Sequence, residues 1–250
     1  MSSSGLNGKV ALITGGTKGI GLAVAQRLAK DGALVAVNYG SDKKAADEVV
    51  HHIGADRCIA IQADAGSVAG VAKIVEETVK KYGRIDILIA NAGVLPMKTL
   101  ESTTEEDFDK TFALNVKGPY FLIQKAVPHM KEGSHVVTIS SSLCHSTAVT
   151  PPYLLYNSTK GAIEQMTRVL AKDLGSKKIL VNCVAPGPTA TELFMRGKSE
   201  QIISMIANQS PMQRLGQPDE IADVIAFVSS DQNRWMSGQL CMVNGAAFPS

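Results

Sequence analysis

The sequence predicts an α/β fold, a doubly wound parallel sheet of about seven strands that forms a single domain over residues 1–250. Short β-branched runs alternate with longer segments of helical periodicity, which is the pattern of βαβ units. No linker, repeat or low-complexity stretch divides the chain. Its 250 residues suit one large α/β domain, and its 45% hydrophobic content is enough for a sizeable core.

Strands and helices are predicted alternately along the chain. The strands are 9–14, 33–39, 58–64, 85–93, 135–141, 179–187 and 239–245. The helices are 19–33, 42–54, 67–82, 104–131, 154–175 and 218–231, with a polar, methionine-containing segment over 191–210. Parallel strands joined by right-handed crossovers need helices on both faces of the sheet.

Composition excludes several classes of partner. The 25 basic and 23 acidic residues give a net charge of +2, which predicts neither a nucleic-acid nor a membrane partner. The stretch MSSSGLNGKV holds no apolar run of signal-peptide length. The four cysteines form no C-x-x-C pair, so neither a metal site nor a disulfide framework is expected. A soluble, cytoplasmic protein is the expectation.

The first strand leads into a glycine-rich turn, TGGTKGIG, at 14–21. Gly15, Gly19 and Gly21 permit a tight turn and a close backbone approach, and the following helix N-terminus favours a phosphate. A merely permissive turn is the alternative. The strand-turn-helix context in the first βαβ unit favours a dinucleotide site, as in a Rossmann fold.

The end of the second strand bears on which dinucleotide binds. An NAD site usually has an acid there for the ribose 2′-hydroxyl, but this strand ends VNYGS without a carboxylate. Lys18 offers a cation near the same ribose, and Asn38 and Ser41 offer donors to a 2′-phosphate. Asp42 argues mildly the other way. NADP is predicted over NAD.

Two further strand ends are predicted to line the cofactor cleft. Asp64 closes the third strand and is expected to accept a hydrogen bond from the adenine amine, to act as a helix N-cap, or both. Asn91 and Gly93 end the fourth strand in ANAG. Ligands of open α/β sheets bind beyond the carboxyl ends of the strands, which is where these residues are expected.

Tyr156 and Lys160 are spaced i and i+4 at the start of a predicted helix, so they share a face. A nearby cation favours the phenolate and is expected to depress the pKa of the tyrosine. A serine at the end of the fifth strand would hold the substrate oxygen, and Asn115 would anchor a water in the proton path. The same Y-x-x-x-K spacing also occurs by chance as an exposed pair.

Taken together, these motifs resemble the short-chain dehydrogenase/reductase family over essentially the full chain. The matching elements are TGGTKGIG, Asp64, ANAG, LNVKG (114–118), Y-x-x-x-K, PG-x-x-x-T (186–191) and GQPDEIA…SGQ…VNG. The details look like the NADP-using fungal polyketide (hydroxynaphthalene-type) and 3-oxoacyl reductases. The resemblance implies an NAD(P)-dependent oxidoreductase, homotetrameric or dimeric, with the tetramer expected.

The resemblance also assigns residues. Its catalytic tetrad falls on Asn115, Ser141, Tyr156 and Lys160, with Ser142 a second choice because the serine-to-tyrosine spacing is longer than usual. Ala90, Asn244, Ala246 and Thr189 depart from the family pattern. The expected cofactor-binding residues are Gly15, Thr17, Lys18, Gly19, Ile20, Gly21, Asn38, Tyr39, Ser41, Asp64, Ala65, Asn91, Ala92, Gly93, Lys160, Pro186, Gly187, Thr189 and Thr191.

The substrate pocket is predicted from two segments that flank the tetrad. The insertion 143–155 is expected to form one wall, and the amphipathic segment 192–206 to form a lid. The substrate residues expected are Ser142, Tyr153, Leu193 and Phe194, with Met97 completing the site. A pocket lined in this way suits a small apolar or aromatic carbonyl substrate.

The predicted function is therefore NADPH-dependent carbonyl reduction. An NAD-linked alcohol dehydrogenase on the same fold is one alternative, and a non-catalytic dinucleotide-binding module is another. Apolar residues on the helices 104–131 and 154–175 either face the sheet or pack against a second copy across a two-fold axis.

Overall fold

A seven-stranded parallel sheet runs through residues 5–248, the part of the chain that the computed structural model describes. Its strands are β1 Val10–Ile13, β2 Leu34–Tyr39, β3 Cys58–Gln62, β4 Ile87–Ala90, β5 His135–Ile139, β6 Leu180–Pro186 and β7 Leu240–Val243. Their order in the sheet is β3-β2-β1-β4-β5-β6-β7. The predicted single-domain Rossmann fold with about seven parallel strands is confirmed.

Helices follow the strands as the sequence predicts, with bounds that differ by a few residues. They are α1 Gly19–Lys30, α2 Lys43–Ile53, α3 Val68–Tyr82, α4 Glu105–Phe112, α5 Gly118–Ala126, α6 Leu154–Gly175, α7 Glu192–Met195, α8 Glu200–Ala207 and α9 Pro218–Val228. The connection from β6 to β7 therefore contains α7 and α8 in the methionine-containing segment, and α9 beyond it.

The core has one apolar layer on each face of the sheet. Ala11 and Ile13 of β1 belong to the layer that also holds α1 and α9, while Leu12 belongs to the layer of α3, α5 and α6. This alternation follows from the two-residue period of a strand. Because both faces are covered, the strands are continuous apolar runs.

The predicted helix 104–131 is interrupted. A π-helical turn, Ala113–Lys117, separates α4 from α5, and a 3-10 turn, Val127–His129, ends the segment. Gly118 begins α5 where a Cβ would lie 2.1 Å from the Ala65 carbonyl oxygen, so only glycine fits. The turn sets Asn115 at the cleft, and π-turns inside helices often occur at functional sites.

Successive strands are added on one side of β1 up to β3 and on its other side from β4 onwards. The carboxyl ends of β1 and β4 form a crevice at this point. The hydroxyl of Thr14, at the end of β1, accepts hydrogen bonds from the backbone N–H groups of Asn91 and Ala92, both 3.1 Å long. Ligands of doubly wound sheets bind at this switch point. The fold therefore puts the glycine turn and ANAG side by side.

Residues 5–248 contain neither a membrane-spanning helix nor a cluster of metal-ligating side chains. No helix there is both long and apolar enough to cross a membrane. Nor does this part of the chain gather three His, Cys, Asp or Glu side chains that could hold a metal ion.

Candidate active site

The glycine turn is tight, and two of its positions, Gly15 and Gly21, favour glycine for different reasons. Gly15 has a φ of +62°, and a Cβ on Gly21 would lie 2.2 Å from the carbonyl oxygen of Gly15. The N-cap of α1, Lys18, makes no side-chain capping hydrogen bond, and the first turn of α1 has no acidic residue. The N-terminus of α1 therefore remains open to an anion such as a cofactor phosphate.

Asn38 serves the backbone of this turn and not a ligand. Its Nδ2 donates to the carbonyls of Tyr39, Ile61 and Ala63, and its Oδ1 accepts from the Gly15 N–H at 3.5 Å. The side chain is buried. The prediction that Asn38 donates to a 2′-phosphate is therefore wrong, because its amide protons are committed to the end of the sheet.

Lys18 lies between two carboxylates at the rim of the cleft. Its Nζ is 2.7 Å from Asp42 Oδ2, at the N-terminus of α2, and 3.4 Å from Glu192 Oε2, at the start of α7. The hydrogen bond with Asp42 contributes most to raising the pKa of Lys18. Half-exposed and held by surface ion pairs, the ammonium is able to exchange partners.

Asp64 lies beyond β3 and holds a local turn. Its Oδ1 accepts from the Gly66 N–H at 2.8 Å. The N-cap of α3 is Ser67, whose hydroxyl accepts from the Gly70 N–H, so the alternative that Asp64 caps this helix is wrong. Nearby, Asn91 donates from Nδ2 to the carbonyls of Thr14 and Gly15, which fixes the glycine turn to β4.

Tyr156 and Lys160 lie together in the first turns of α6. The Lys160 Nζ is 5.5 Å from the centre of the Tyr156 ring and donates to the Ile139 carbonyl at 2.8 Å. Burial lowers the pKa of Lys160 to about 8. Burial also raises the pKa of Tyr156, so the expected lowering by Lys160 is not what this structure has. The phenol is held in its protonated form.

Ser141 is the serine that reaches the tyrosine. A hydrogen bond between Ser141 and Tyr156 opposes the rise in the tyrosine pKa. Ser142 is fully buried, and its Oγ has no hydrogen-bond partner among residues 5–248. Both serines line the same cavity, and Ser141 is the one that interacts with Tyr156.

Asn115, the fourth residue of the predicted tetrad, lies close to Lys160. A Cβ on Gly93 would lie 3.2 Å from Asn115 Oδ1 and 3.8 Å from Lys160 Nζ, so both side chains approach this glycine. The Asn115 Nδ2 also donates to Thr159 Oγ1 of α6 at 3.1 Å. The structure thus brings Asn115, Tyr156 and Lys160 to one place.

A cavity of about 590 Å³ opens in front of Ser141, Tyr156 and Lys160. All four expected substrate residues line it, together with the predicted Met97. So do eight of the expected cofactor residues, Ile20, Asn91, Gly93, Lys160, Pro186, Gly187, Thr189 and Thr191. The others, which include Thr17, Tyr39, Ser41, Ala65 and Ala92, lie outside this cavity on the side of the glycine turn and β2.

Sequence reasoning missed several lining residues. Phe248 follows β7 and reaches the cavity from the far end of the chain, while Met205 and Gln209 come from α8 and the turn after it. Helical periodicity gives a signal for Met205 on the apolar face of α8. No pattern in the sequence identifies Phe248, because its place depends on the turn after β7.

Sequence reasoning also missed Glu164, which lies behind the strand end that carries Ser141. Its carboxylate accepts a hydrogen bond from Ser140 Oγ at 2.7 Å and lies 3.1 Å from His145 Nε2. Ser140 Oγ also approaches the Lys160 carbonyl oxygen at 3.3 Å. Glu164 therefore ties the strand end that carries Ser141 to α6, which carries Tyr156.

Comparison with protein families and curated proteins identifies relatives along the whole chain. A family model described as enoyl-(acyl carrier protein) reductase matches residues 15–246. Versicolorin reductase 1 of Aspergillus parasiticus is 40% identical, with 97% of each chain covered. Elsinochrome reductase 1 of Elsinoe fawcettii is 39% identical over 99% of this chain and 97% of the relative.

Solved structures agree with these relatives. A short chain dehydrogenase from Burkholderia cenocepacia in complex with NADP superposes with a TM-score of 0.92 at 36% identity, covering 97% of this chain and 98% of that one. A blue fluorescent protein from a metagenomic library, in complex with NADPH, has a TM-score of 0.92 at 34% identity, covering 98% and 99%. The chain therefore belongs to the short-chain dehydrogenase/reductase family of oxidoreductases.

Proposed function

We propose that the protein is an NADPH-dependent carbonyl reductase acting on an apolar or aromatic ketone, with Tyr156 as the proton donor. The observation that carries the proposal is the meeting of Tyr156, Ser141 and Lys160 at one wall of a largely apolar cavity. That wall is chemically equipped to hold a carbonyl oxygen and to protonate it. The opposite wall is apolar and suits the rest of such a substrate.

The cofactor part of the cleft suits NADP. The uncapped N-terminus of α1 favours a pyrophosphate, and Lys18 offers a cation near the tip of β2, where no carboxylate ends the strand. Relatives of known structure bind NADP or NADPH. When bound, NADPH would supply the hydride.

The residues of the tetrad have separate roles in this proposal. Ser141 orients the carbonyl oxygen of the substrate, and the Tyr156 hydroxyl donates a proton to it. The raised pKa of Tyr156 keeps that proton available in the cofactor-free protein. Lys160 binds the nicotinamide ribose, and its positive charge favours the phenolate that remains after proton transfer. Asn115 supports the path that returns a proton through Lys160.

The substrate is proposed to be apolar because of the side chains that face it. The expected contacts Tyr153, Leu193 and Phe194 line the cavity, and Phe248 and Met205 add to the same surface. A flat aromatic or fused-ring ketone would bury the largest apolar area against these walls, and buried apolar area contributes most of the binding free energy.

The test is NADPH consumption against a panel of ketones, quinones and β-keto esters, with Tyr156→Phe beside the wild type. The proposal expects turnover in the wild type and its loss in the variant, while NADPH binding, followed by cofactor fluorescence, is retained. Turnover by Tyr156→Phe at the wild-type rate contradicts the role of the tyrosine. Tight NADPH binding without turnover of any carbonyl would favour the non-catalytic module.

The proposal includes a cytoplasmic homotetramer. Its support is the exposure of large apolar side chains on two separate surfaces. Phe108, Tyr120 and Val169 are exposed on α4, α5 and α6, while Phe227 and Trp235 are exposed on α9 and the turn after it. Two independent apolar surfaces are what a tetramer with two kinds of two-fold interface needs. Light scattering on the purified protein gives the oligomeric state.

A further inference from the structure

The charges that line the central cavity all have one sign. Among its lining residues there is no aspartate or glutamate, whereas Lys160, Arg196 and Lys198 each contribute a cation. A cavity of this kind favours negative charge in what it binds. The question is which of the three cations is available to a substrate.

Two of the three cations have other partners. The Lys160 Nζ donates to the Ile139 carbonyl at 2.8 Å and lies beside Tyr156. The guanidinium of Arg196 lies 2.9 Å from the Glu192 carboxylate, and its side chain is 71% exposed, so it is neutralised in solvent at the rim. Neither of these groups requires a substrate anion.

Lys198 differs from both. Its Nζ donates to the Phe194 carbonyl at 2.6 Å and lies 4.6 Å from the centre of the Phe194 ring. No carboxylate among residues 5–248 forms an ion pair with it. An ammonium has three N–H donors, and the described part of the chain accepts only one from Lys198. Two donors remain for a ligand.

The surroundings of Lys198 favour the binding of an anion to its ammonium. Lys198 is partly buried, and this burial lowers the pKa of its ammonium. Ile202, Met205 and Ile206 of α8 line the same cavity and supply no polar side chain to compensate. A charge-assisted hydrogen bond at a partly desolvated site is stronger than one in water.

We propose that Lys198 binds a carboxylate or ionised phenol carried by the ketone substrate at a distance from its carbonyl group. This rests on the proposed function and narrows it, from apolar ketones in general to aromatic ketones that bear an acidic group. Tyr156 and Ser141 hold the reacting carbonyl, the apolar walls hold the rings, and Lys198 selects the acidic substituent.

A different role for Lys198 is to fix the chain after α7, through the bond to Phe194 alone. The two roles are separable with Lys198→Gln. The glutamine amide keeps an N–H donor for the Phe194 carbonyl but removes the charge. Lys198→Arg keeps the charge, and Lys177→Gln removes an exposed lysine outside the cavity as a matched control for net charge.

The experiment compares 4-acetylbenzoate with its methyl ester as NADPH-dependent substrates. The two share one ketone and differ in charge at the other end of the ring. We expect kcat/KM to favour the acid by about tenfold in the wild type, as one charge-assisted hydrogen bond implies. That ratio should fall about tenfold in Lys198→Gln, remain largely intact in Lys198→Arg and be unaltered in Lys177→Gln.

A wild type that prefers the ester would overturn the inference. So would a Lys198→Gln variant that loses activity equally towards both compounds, because that result indicates a fixed lid and not recognition of charge. If neither ketone is reduced, the result counts against the proposed reductase function. Calorimetric binding of 4-acetylbenzoate to the NADP complex then still tests whether Lys198 binds the carboxylate. Binding that is unchanged by Lys198→Gln would contradict the inference, and binding weakened about tenfold would support it.

Discussion

Asn115 and Val94 exchange two hydrogen bonds, as neighbouring strands do. The Val94 N–H donates to Asn115 Oδ1 and the Asn115 Nδ2 donates to the Val94 carbonyl, both at 2.9 Å. A side-chain amide thus holds the backbone that follows β4 against the π-helical turn. Val94 and its neighbour Gly93 line the cavity, so this pair sets one boundary of the site.

Replacing Asn115 should therefore affect both stability and turnover. Asn115→Leu keeps the volume but leaves the Val94 N–H and carbonyl without their partner in a partly buried place, which is expected to lower the free energy of unfolding by about 1–2 kcal/mol. Displacement of the cleft is expected to reduce kcat by about a hundredfold. Urea unfolding and steady-state kinetics measure the two effects. A variant with wild-type kcat would show that Asn115 has no part in the site.

Two adjacent serines give a sharp comparison. Ser141 hydrogen-bonds to Tyr156, whereas Ser142 Oγ is buried without a partner among residues 5–248. Ser141→Ala is expected to reduce kcat by about 10²-fold, because the carbonyl oxygen loses the donor that orients it. Ser142→Ala removes an unsatisfied polar atom and should leave kcat within a few-fold of wild type, with unchanged or slightly raised stability. The reverse order of the two kcat values would assign the catalytic role to Ser142.

The preference for NADPH over NADH is expected to depend on whether Lys18 pairs with Asp42 or with the 2′-phosphate of the cofactor. Asp42 holds the Lys18 ammonium at 2.7 Å, near the place where a 2′-phosphate is expected. Lys18→Gln should lower the preference for NADPH over NADH, measured as the ratio of their kcat/KM values, by about tenfold. Asp42→Asn should shift the ratio the other way by a few-fold, because it frees the lysine and removes a repelling charge. Equal ratios in all three proteins would mean that Lys18 does not contact the cofactor phosphate.

The sequence predicts the strands, most helices and the glycine turn because these depend on local period and on residues such as Gly15 and Gly21. Local patterns do not reveal the π-helical turn. One extra residue rotates the positions that follow by about 100°, but α4 and α5 have only 8 and 9 residues, too few for the pattern to reveal the shift. The turn is also held by the distant backbone of Val94. Asn38 was misassigned for a related reason. Its position at a strand tip resembles a ligand site, yet β3 covers it and takes its amide protons.

The cavity shows the same limit. Tyr156, Lys160 and Ser141 are identified by spacing and by the strand that precedes them. Phe248 reaches the site only because β7 ends beside β6 and the chain then turns back. The isolated charge of Lys198 likewise emerges only when the lining residues are seen together. Local sequence patterns therefore predict the residues around Tyr156 better than the rest of the cavity lining.

His135 is expected to make the protein sensitive to acid. It begins β5, is only 4% exposed, and its Nδ1 has no hydrogen-bond partner among residues 5–248. Burial lowers its pKa to about 4; the charge of Asp231 opposes this lowering, and the charge of Lys9 adds to it. Between that value and the ordinary pKa of about 6.5, the unfolded chain binds more protons than the folded one. Stability should therefore fall as the pH is lowered through this window, by up to about 3 kcal/mol.

The variant that tests this is His135→Met, because methionine does not titrate and its apolar side chain suits a buried position. Its free energy of unfolding in urea should depend less on pH between about 6.5 and 4 than that of the wild type, by as much as about 3 kcal/mol at the acid end. His51→Gln is the control, because it removes an exposed histidine on α2 and no burial is involved. The pH dependence of wild type and control should coincide. If His135→Met loses stability in acid as steeply as they do, other groups cause the loss, and His135 is not the residue that limits the fold at low pH.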